Sequence, residues 1–419
     1  MPAAPWVALR YMLRFRCTGP ACEDTCCAGW HVPLDERDLV QLRRSMNRSV
    51  EEQTELARAA VASSHPTLHF AAELAQDAGG RCVFLDPAGW CTVHGRYGTA
   101  ALPGTCATFP RRVADLGVRQ EVIGDLSCPE AARLCLLHDD GFGWEPYDPT
   151  ALGRLIPQPG PVLAPDAPLA LLEQFRAAAG DLLRARAETI DTRLWALARL
   201  ADRCDPLIAG RVTPRNVQHF EDEIARTRDS RYLADAERDR PAATDGGEFA
   251  FLLGQQLFVA VARLPALPSG LRRLLERVHA SYRATHGPEL PGDVLWRDFL
   301  ARRARWTERF GREIAEYLER FALNHWMRIP AEGRPDRLLA HQRRLMLSVA
   351  MLRVLLFQHP DLTLSAPLDR ERLERAVVEC CYAYCRTVLH TPELETSLQE
   401  LLRVNGLDSL ERMVRLLGV

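Results

Sequence analysis

The run Cys17-Thr-Gly-Pro-Ala-Cys22-Glu-Asp-Thr-Cys26-Cys27-Ala-Gly-Trp30 puts four thiols within eleven residues. Thiolates gathered this closely, with Gly and Pro between them, are what a soft metal ion or an iron–sulfur cluster needs. Cys26 and Cys27 are adjacent, and a disulfide between neighbours closes a strained ring. Four more cysteines follow at Cys82, Cys91, Cys106 and Cys128, and nine of the 13 in the chain precede residue 140. The first 135 residues are therefore expected to be organised around inorganic chemistry.

Outward from this run the sequence reads as short, loop-rich pieces. Leu13-Arg14-Phe15-Arg16 is expected as a short strand leading into Cys17. From Asp35 to about Ala62, spaced Leu and Val among polar residues predict helix, with Asp35 as N-cap and Asp38 in an imperfect capping box. Cys82-Val-Phe-Leu85, the turn Asp86-Pro-Ala-Gly89 and Trp90-Cys91-Thr-Val-His94 predict a β-hairpin with one cysteine on each arm. Leu102-Pro-Gly-Thr-Cys106 is expected as a loop that delivers its cysteine. A strand near Arg119–Ile123 leads to Cys128-Pro129-Glu130, where Pro in a first helical turn starts a helix carrying Cys135.

Seven prolines between 146 and 168 predict a linker or surface-crossing segment. Beyond it helical spacing prevails. Leu169–Arg203 is rich in Leu, Ala and Arg, and Trp296, Phe299, Leu300, Phe310, Ile314, Tyr317, Leu318 and Phe321 recur at three and four residues. Leu394, Leu398, Leu401 and Leu402 do the same until Asn405-Gly406, a C-terminal stop, after which Asp408 is expected to cap a last helix. Segments near 214–229, 248–264, 337–357 and 368–389 complete the set, and 221–247, rich in Arg, Asp and Glu, is expected as a loop between helices. The expected fold class is mainly α. A small, irregular, cysteine-rich α+β domain spans 1–145, a Pro-rich linker 146–168, and an all-helical domain 169–419.

The chain is 47% hydrophobic and 26% charged with a formal net charge of -2, so nothing in the balance asks for nucleic acid or an anionic membrane. The apolar stretches 249–262 and 344–357 contain Gln255, Gln256 and Arg353 and fall short of a bilayer span. The first ten residues do not read as a secretory signal. The expectation is a cytoplasmic protein, in whose reducing surroundings clustered cysteines mean metal binding or catalysis before disulfides.

Paired Cys-x2-Cys zinc-ribbon motifs are absent. The radical S-adenosylmethionine spacing Cys-x3-Cys-x2-Cys begins at Cys22 and Cys26 but meets Gly29 where its third cysteine belongs. The pieces present are Phe15-Arg-Cys17-x4-Cys22-Glu-Asp-Thr-Cys26-Cys27-x-Gly29-Trp30, Gly80-Arg-Cys82-Val-Phe-Leu-Asp86, Trp90-Cys91, Leu102-Pro-Gly-Thr-Cys106-x2-Phe109-Pro110-Arg111 and Ser127-Cys128-Pro129-Glu130. In order and spacing this set resembles the flagellin lysine N-methylase family and, more broadly, the cysteine-cluster proteins thought to chelate zinc or iron. It covers residues 15–135, about a third of the chain.

The resemblance implies transfer of methyl groups from S-adenosylmethionine to lysine side chains of flagellin. It also implies an iron–sulfur cluster, of the 4Fe–4S type, on the N-terminal cysteines, with zinc as the alternative. The usual Gly-rich nucleotide loop between strand and helix is absent, so the methyl donor is expected in an unfamiliar pocket or beside the cluster. The candidate metal ligands are Cys17, Cys22, Cys26, Cys27, Cys82, Cys91, Cys106 and Cys128, in one centre or two. The catalytic base and the donor pocket are not identified.

Cys135, Cys204, Cys380, Cys381 and Cys385 are expected as buried helix residues, and His31 and His94 as hydrogen-bonding neighbours. Glu23 and Asp24 are expected to cap the cysteine loop by bonding backbone amides, the alternative being a proton acceptor for lysine. Arg111-Arg112 faces an anionic group or the cluster sulfurs, or is a solvated pair, and Trp30, Trp90 and Phe109 shield the centre from water. Two other function classes suit the same residues: a non-enzymatic zinc- or iron-stabilised interaction module, and an iron–sulfur redox sensor.

Overall fold

The computed structural model describes residues 4–419 except 65, 68–69, 71, 151, 153, 160–168, 209–211, 243–246, 264–268, 330–337, 391 and 408. The chain opens with β1 (Trp6–Leu9), which runs straight into one helical turn, α1 (Arg10–Leu13). The strand thus lies earlier than the 13–16 expected. In this turn Tyr11 is buried, its hydroxyl accepting from Gly124 N at 2.8 Å and donating to Asn324 Oδ1 at 2.5 Å.

After the cysteine loop come β2 (Pro33–Leu34), α2 (Glu36–Ser45), α3 (Val50–Ala59), β3 (Ala60–Ala62) and β4 (Ala72–Leu74). Asp35 caps α2 in a reciprocal box. Its carboxylate accepts from Asp38 N at 2.8 Å while that of Asp38 accepts from Asp35 N at 3.1 Å. The expected helix over 35–62 is two helices, because Ser49 provides a second N-cap. Strands β2, β4 and β3 form a small antiparallel sheet.

The hairpin expected at 82–94 is not a ladder. Single bridges join Gln76 to Cys82 and Leu85 to Cys91, and Thr92 N turns back to Phe84 O at 2.8 Å to start α4 (Thr92–Tyr97). Cys106 sits on a short helix, α5 (Gly104–Thr108), and not in a loop. Then follow β5 (Arg111–Asp115), β6 (Gln120–Gly124), α6 (Pro129–Leu137), β7 (Trp144–Pro146) and β8 (Gln158–Pro159). These complete a five-stranded sheet in the order β7-β1-β6-β5-β8, with β1 parallel to β6. The Pro-rich stretch therefore contributes strand ends to this sheet, and Arg154 reaches from it to Asp35 and Asp38 at 2.7 and 2.8 Å; its residues 151, 153 and 160–168 lie outside the described residues.

The remainder is helical: α7 (Leu169–Arg184), α8 (Ile190–Ile208), α9 (Pro214–Arg226), α10 (Tyr232–Arg238), α11 (Glu248–Arg263), α12 (Ser269–His286), α13 (Gly292–Arg328), α14 (Leu338–Gln358), α15 (Arg370–Val388), α16 (Pro392–Val404) and α17 (Leu410–Met413). The loop expected over 221–247 is mostly helix. Phe220, Ile224 and Ala236 bury one side of α9 and α10, and the charged residues cover the other; 243–246 lie outside the described residues. Gly406, at φ +68°, ends the α16 segment as expected, while Asp408 lies outside the described residues.

Two apolar cores result. The large one joins the helices to β1, α1, β5, β6 and α6. Buried ion pairs run through it: Arg176 of α7 meets Glu121 of β6 at 2.9 Å, and Arg193 of α8 meets Glu319 of α13 at 2.7 Å. The small one gathers Val32, Leu34, Leu42, Met46, Leu56, Leu74, Phe84 and Val93. Among the described residues no helix is long and apolar enough to cross a membrane.

Candidate metal centre

All eight candidate cysteines line one cavity of about 680 Å³, together with Phe15, Trp30, Phe84 and Phe109. Each arrives on a different local device. Cys17 follows α1 outside any helix or strand. Gly19, at φ +55°, turns the loop beneath the Trp90 ring, where a Cβ would lie 1.7 Å from the indole. Cys27 O accepts from Cys82 N at 2.8 Å, which sets those two strands of chain side by side. The N-terminus of α5 is held by Asp38, whose carboxylate accepts from Gly104 N at 2.8 Å and so fixes Cys106. Cys128 is the N-cap residue of α6.

Within the cavity the thiols fall into two neighbourhoods. Cys82, Cys27, Cys91 and Cys106 pack into the small core, whereas Cys128 belongs to the large one. The hydrogen bond to Cys26 pushes the Cys27 thiol up, and the hydrogen bond to Cys27 does the same for Cys91. Burial, and then the nearby Cys27, Cys91 and Cys82, hold Cys106 well above an ordinary thiol. On the other side Cys128 is pushed up to about 12 by burial, with Cys22 and Cys17 beside it, against the opposing pull of the Ala131 and Glu130 amides. Without a cation the Cys27, Cys91, Cys106 and Cys128 thiols hold their protons, and a bound metal would displace them. Among the described residues no three Cys, His, Asp or Glu side chains already stand at metal-coordinating separations. The donor chemistry nonetheless fits: eight soft sulfurs with aromatic walls around one cavity.

The loop between Cys22 and Cys27 is gripped by the helices. Arg386 of α15 donates to Asp24 O at 3.1 Å, Thr25 O at 2.8 Å and Ala28 O. The Asp24 carboxylate meets Arg386 at 3.0 Å and Arg273 of α12 at 3.0 Å, and Glu23 pairs with Arg133 of α6. Asp24 and Glu23 are therefore ion-paired anchors, in place of the expected amide caps. Arg386, Arg273 and Asp38 were not legible as site residues, since each lies far in sequence from the cysteine it positions.

Arg111 lines the cavity and donates to the Tyr147 hydroxyl at 2.8 Å, while Arg112 turns away to Asp125 at 2.7 Å, so the pair is split and neither is merely solvated. Trp30 donates to Cys26 O and lies 6.0 Å from Phe109. Trp90 stacks on His94 outside the lining, which His94 itself joins. His31 pairs with Glu73 at 3.3 Å. Cys135, Cys204, Cys380, Cys381 and Cys385 are buried in helices away from the cavity.

Two family models match separate stretches of the chain. Residues 16–129 match the CxxCxxCC family model, described as "Putative zinc- or iron-chelating domain". The Lysine-N-methylase of Salmonella typhimurium is 31% identical over 140 residues, 32% of each chain, and that of Salmonella choleraesuis 30% over the same length. The Flagellar biosynthetic protein FliU of Salmonella muenchen is 30% identical over 134 residues, 32% of this chain and 77% of its own. The match thus spans about a third of the length of the two methylases. No solved structure matches. Residues 176–416, more than half of the chain, match the model of the FliB lysine N-methylase C-terminal domain, and with that match the chain belongs to the FliB lysine N-methylase family.

Proposed function

We propose that this chain is a cytoplasmic protein lysine N-methyltransferase that uses S-adenosylmethionine, with flagellin as its substrate and an iron–sulfur centre of the 4Fe–4S type on its N-terminal cysteines. The observation that carries the reading is the convergence of all eight family-pattern thiols on one cavity that the helices grip through Arg386 and Arg273. The division proposed is a cysteine-rich part over 1–145, a Pro-rich connection over 146–168 and a helical part over 169–419 that supports the first and receives the protein substrate.

In the reaction the lone pair of a neutral lysine Nε attacks the sulfonium methyl carbon, the carbon–sulfur bond breaks, and S-adenosylhomocysteine leaves with the bonding pair. The alkylated nitrogen then gives up a proton. A metal centre held by these thiols would supply an anchor or an electrostatic field for the methyl donor. The protein's own residues provide the remainder: Phe15, Trp30, Phe84 and Phe109 exclude water, and the arginines keep the cysteine loop in place.

The chain contains no lysine, all 53 of its basic residues being arginine. Any methyl-lysine found in an assay must therefore come from the substrate. The test is anaerobic isolation with iron, sulfide and zinc analysis, then incubation with S-adenosylmethionine and unmodified flagellin. The expected outcome is mass added to flagellin lysines in steps of one methyl group. If every flagellin lysine keeps its starting mass, the enzyme reading fails.

A further inference from the structure

We propose that the eight thiols build two separate centres. A closed one of Cys27, Cys82, Cys91 and Cys106 takes a single tetrahedral ion of the zinc class. An open one of Cys17, Cys22 and Cys128, bordered by Cys26, takes the iron–sulfur centre. This rests on the reading that the cavity thiols bind metal.

The partition follows the packing. Cys27, Cys82, Cys91 and Cys106 all belong to the small core around Val32, Leu34, Leu74 and Phe84. Backbone contacts tie three of them together: Cys82 N donates to Cys27 O at 2.8 Å, and Leu85 bridges to Cys91. Four thiolates packed against one set of apolar side chains, Cys82 buried and Cys27, Cys91 and Cys106 half-buried, are the donor set of a structural tetrahedral site. Cys128 packs into the other core, at the start of α6, and Cys17 is exposed. The second set therefore lies on the seam between cores, reachable from solvent, where a reactive centre has to be. Its loop is also the one that Arg386, Arg273 and Arg133 hold from the helices. The adjacent pair lies at this division, the Cys27 thiol hydrogen-bonding both to Cys26 and to Cys91 of the first set.

The test is elemental analysis of the full chain isolated anaerobically, beside the variants Cys17→Ser and Cys106→Ser. The expected wild-type result is about one zinc per chain plus iron with matching sulfide. Cys17→Ser is expected to lose the iron and keep both the zinc and the wild-type thermal unfolding. Cys106→Ser is expected to lose the zinc. Should Cys106→Ser fail to fold, Cys17→Ser still decides. Loss of zinc and iron together from Cys17→Ser overturns the partition but leaves metal binding intact. Zinc at both sites with no iron overturns the assignment of the open one. A wild-type chain with no metal overturns the underlying reading, and the partition with it.

Discussion

The two cores differ in how much structure each element owns. The large core rests on long helices, such as the 21-residue α14 and the two stretches of α13 that meet in a kink at Phe310, and its charged groups are buried as ion pairs between elements distant in sequence. The small core has two ten-residue helices and strands of two or three residues. Elements so short bury little apolar surface, and a region of that kind usually needs a covalent or metal staple. Four of the candidate ligands belong to it, Cys82 within it and Cys27, Cys91 and Cys106 packed against it. One chain thus holds a part stabilised by burial beside a part whose order is expected to depend on metal.

The strongest challenge to that contrast is metal removal. A structural tetrathiolate site contributes on the order of 10–16 kcal/mol of folding free energy at neutral pH. Chelation is expected to abolish amide-exchange protection in α2, α3 and β4 while α13 and α14 keep theirs. Equal loss in both cores, or in neither, would remove the contrast. The converse experiment is Arg176→Ala, which strands the fully buried Glu121 with only Arg119 for company. It is expected to cost about 3–5 kcal/mol in global unfolding and to leave metal content unchanged.

A pH series separates the cores in a different way. Burial alone would raise the Asp125 carboxyl, but His390, Arg112 and Arg328 outweigh it and hold the group well below the usual range. The unfolded chain then takes up this proton first as the pH falls. The stabilisation is complete above the ordinary aspartate value of about 3.9 and is lost as the pH falls through the lower folded value. Asp125→Asn is expected to cost roughly 1.5–3 kcal/mol near neutrality and to flatten this part of the acid limb of the unfolding midpoint against pH. An unchanged acid limb would show that Asp125 does not couple the sheet to Arg328 and His390.

How legible this was in the sequence also divides by region. The helices of the large core were readable because the apolar spacing in Trp296 to Phe321 continues over many turns, and α9 was readable near 214–229, whereas α10 was misread as loop because its charges outnumber the buried Ala236. The candidate ligands were readable by residue type alone. Their surroundings were not. Arg386 acts on the loop from more than 350 residues away, and Asp38 looked like part of a helix cap when it also holds the helix bearing Cys106. Short elements misled for a related reason. In Cys82 to His94 the turn residues were right, but Thr92 starts a helix because its amide and hydroxyl both bond to Phe84 O, at 2.8 and 3.1 Å, and no second arm remains to pair.

The smallest effect gives the finest discrimination. Asp35→Ala removes the capping box of α2, worth about 1 kcal/mol, and its 2.7 Å ion pair with Arg154. If the small core were stable by itself, that loss would lower its melting point and leave metal affinity alone, because the folded site would already be complete. If metal binding and folding of the small core are one event, the same 1 kcal/mol must appear in the binding constant, since the ion has to order a less favourable chain. Zinc affinity, measured by competition with a chromophoric chelator, is then expected to fall about fivefold. The matching cap substitution in the large core, Asp369→Ala at the start of α15, is expected to leave that affinity unchanged. A fivefold loss in the first variant alone ties the order of the small core to its thiols. Equal affinities would show that the short elements around Leu34 and Phe84 hold together before any metal arrives.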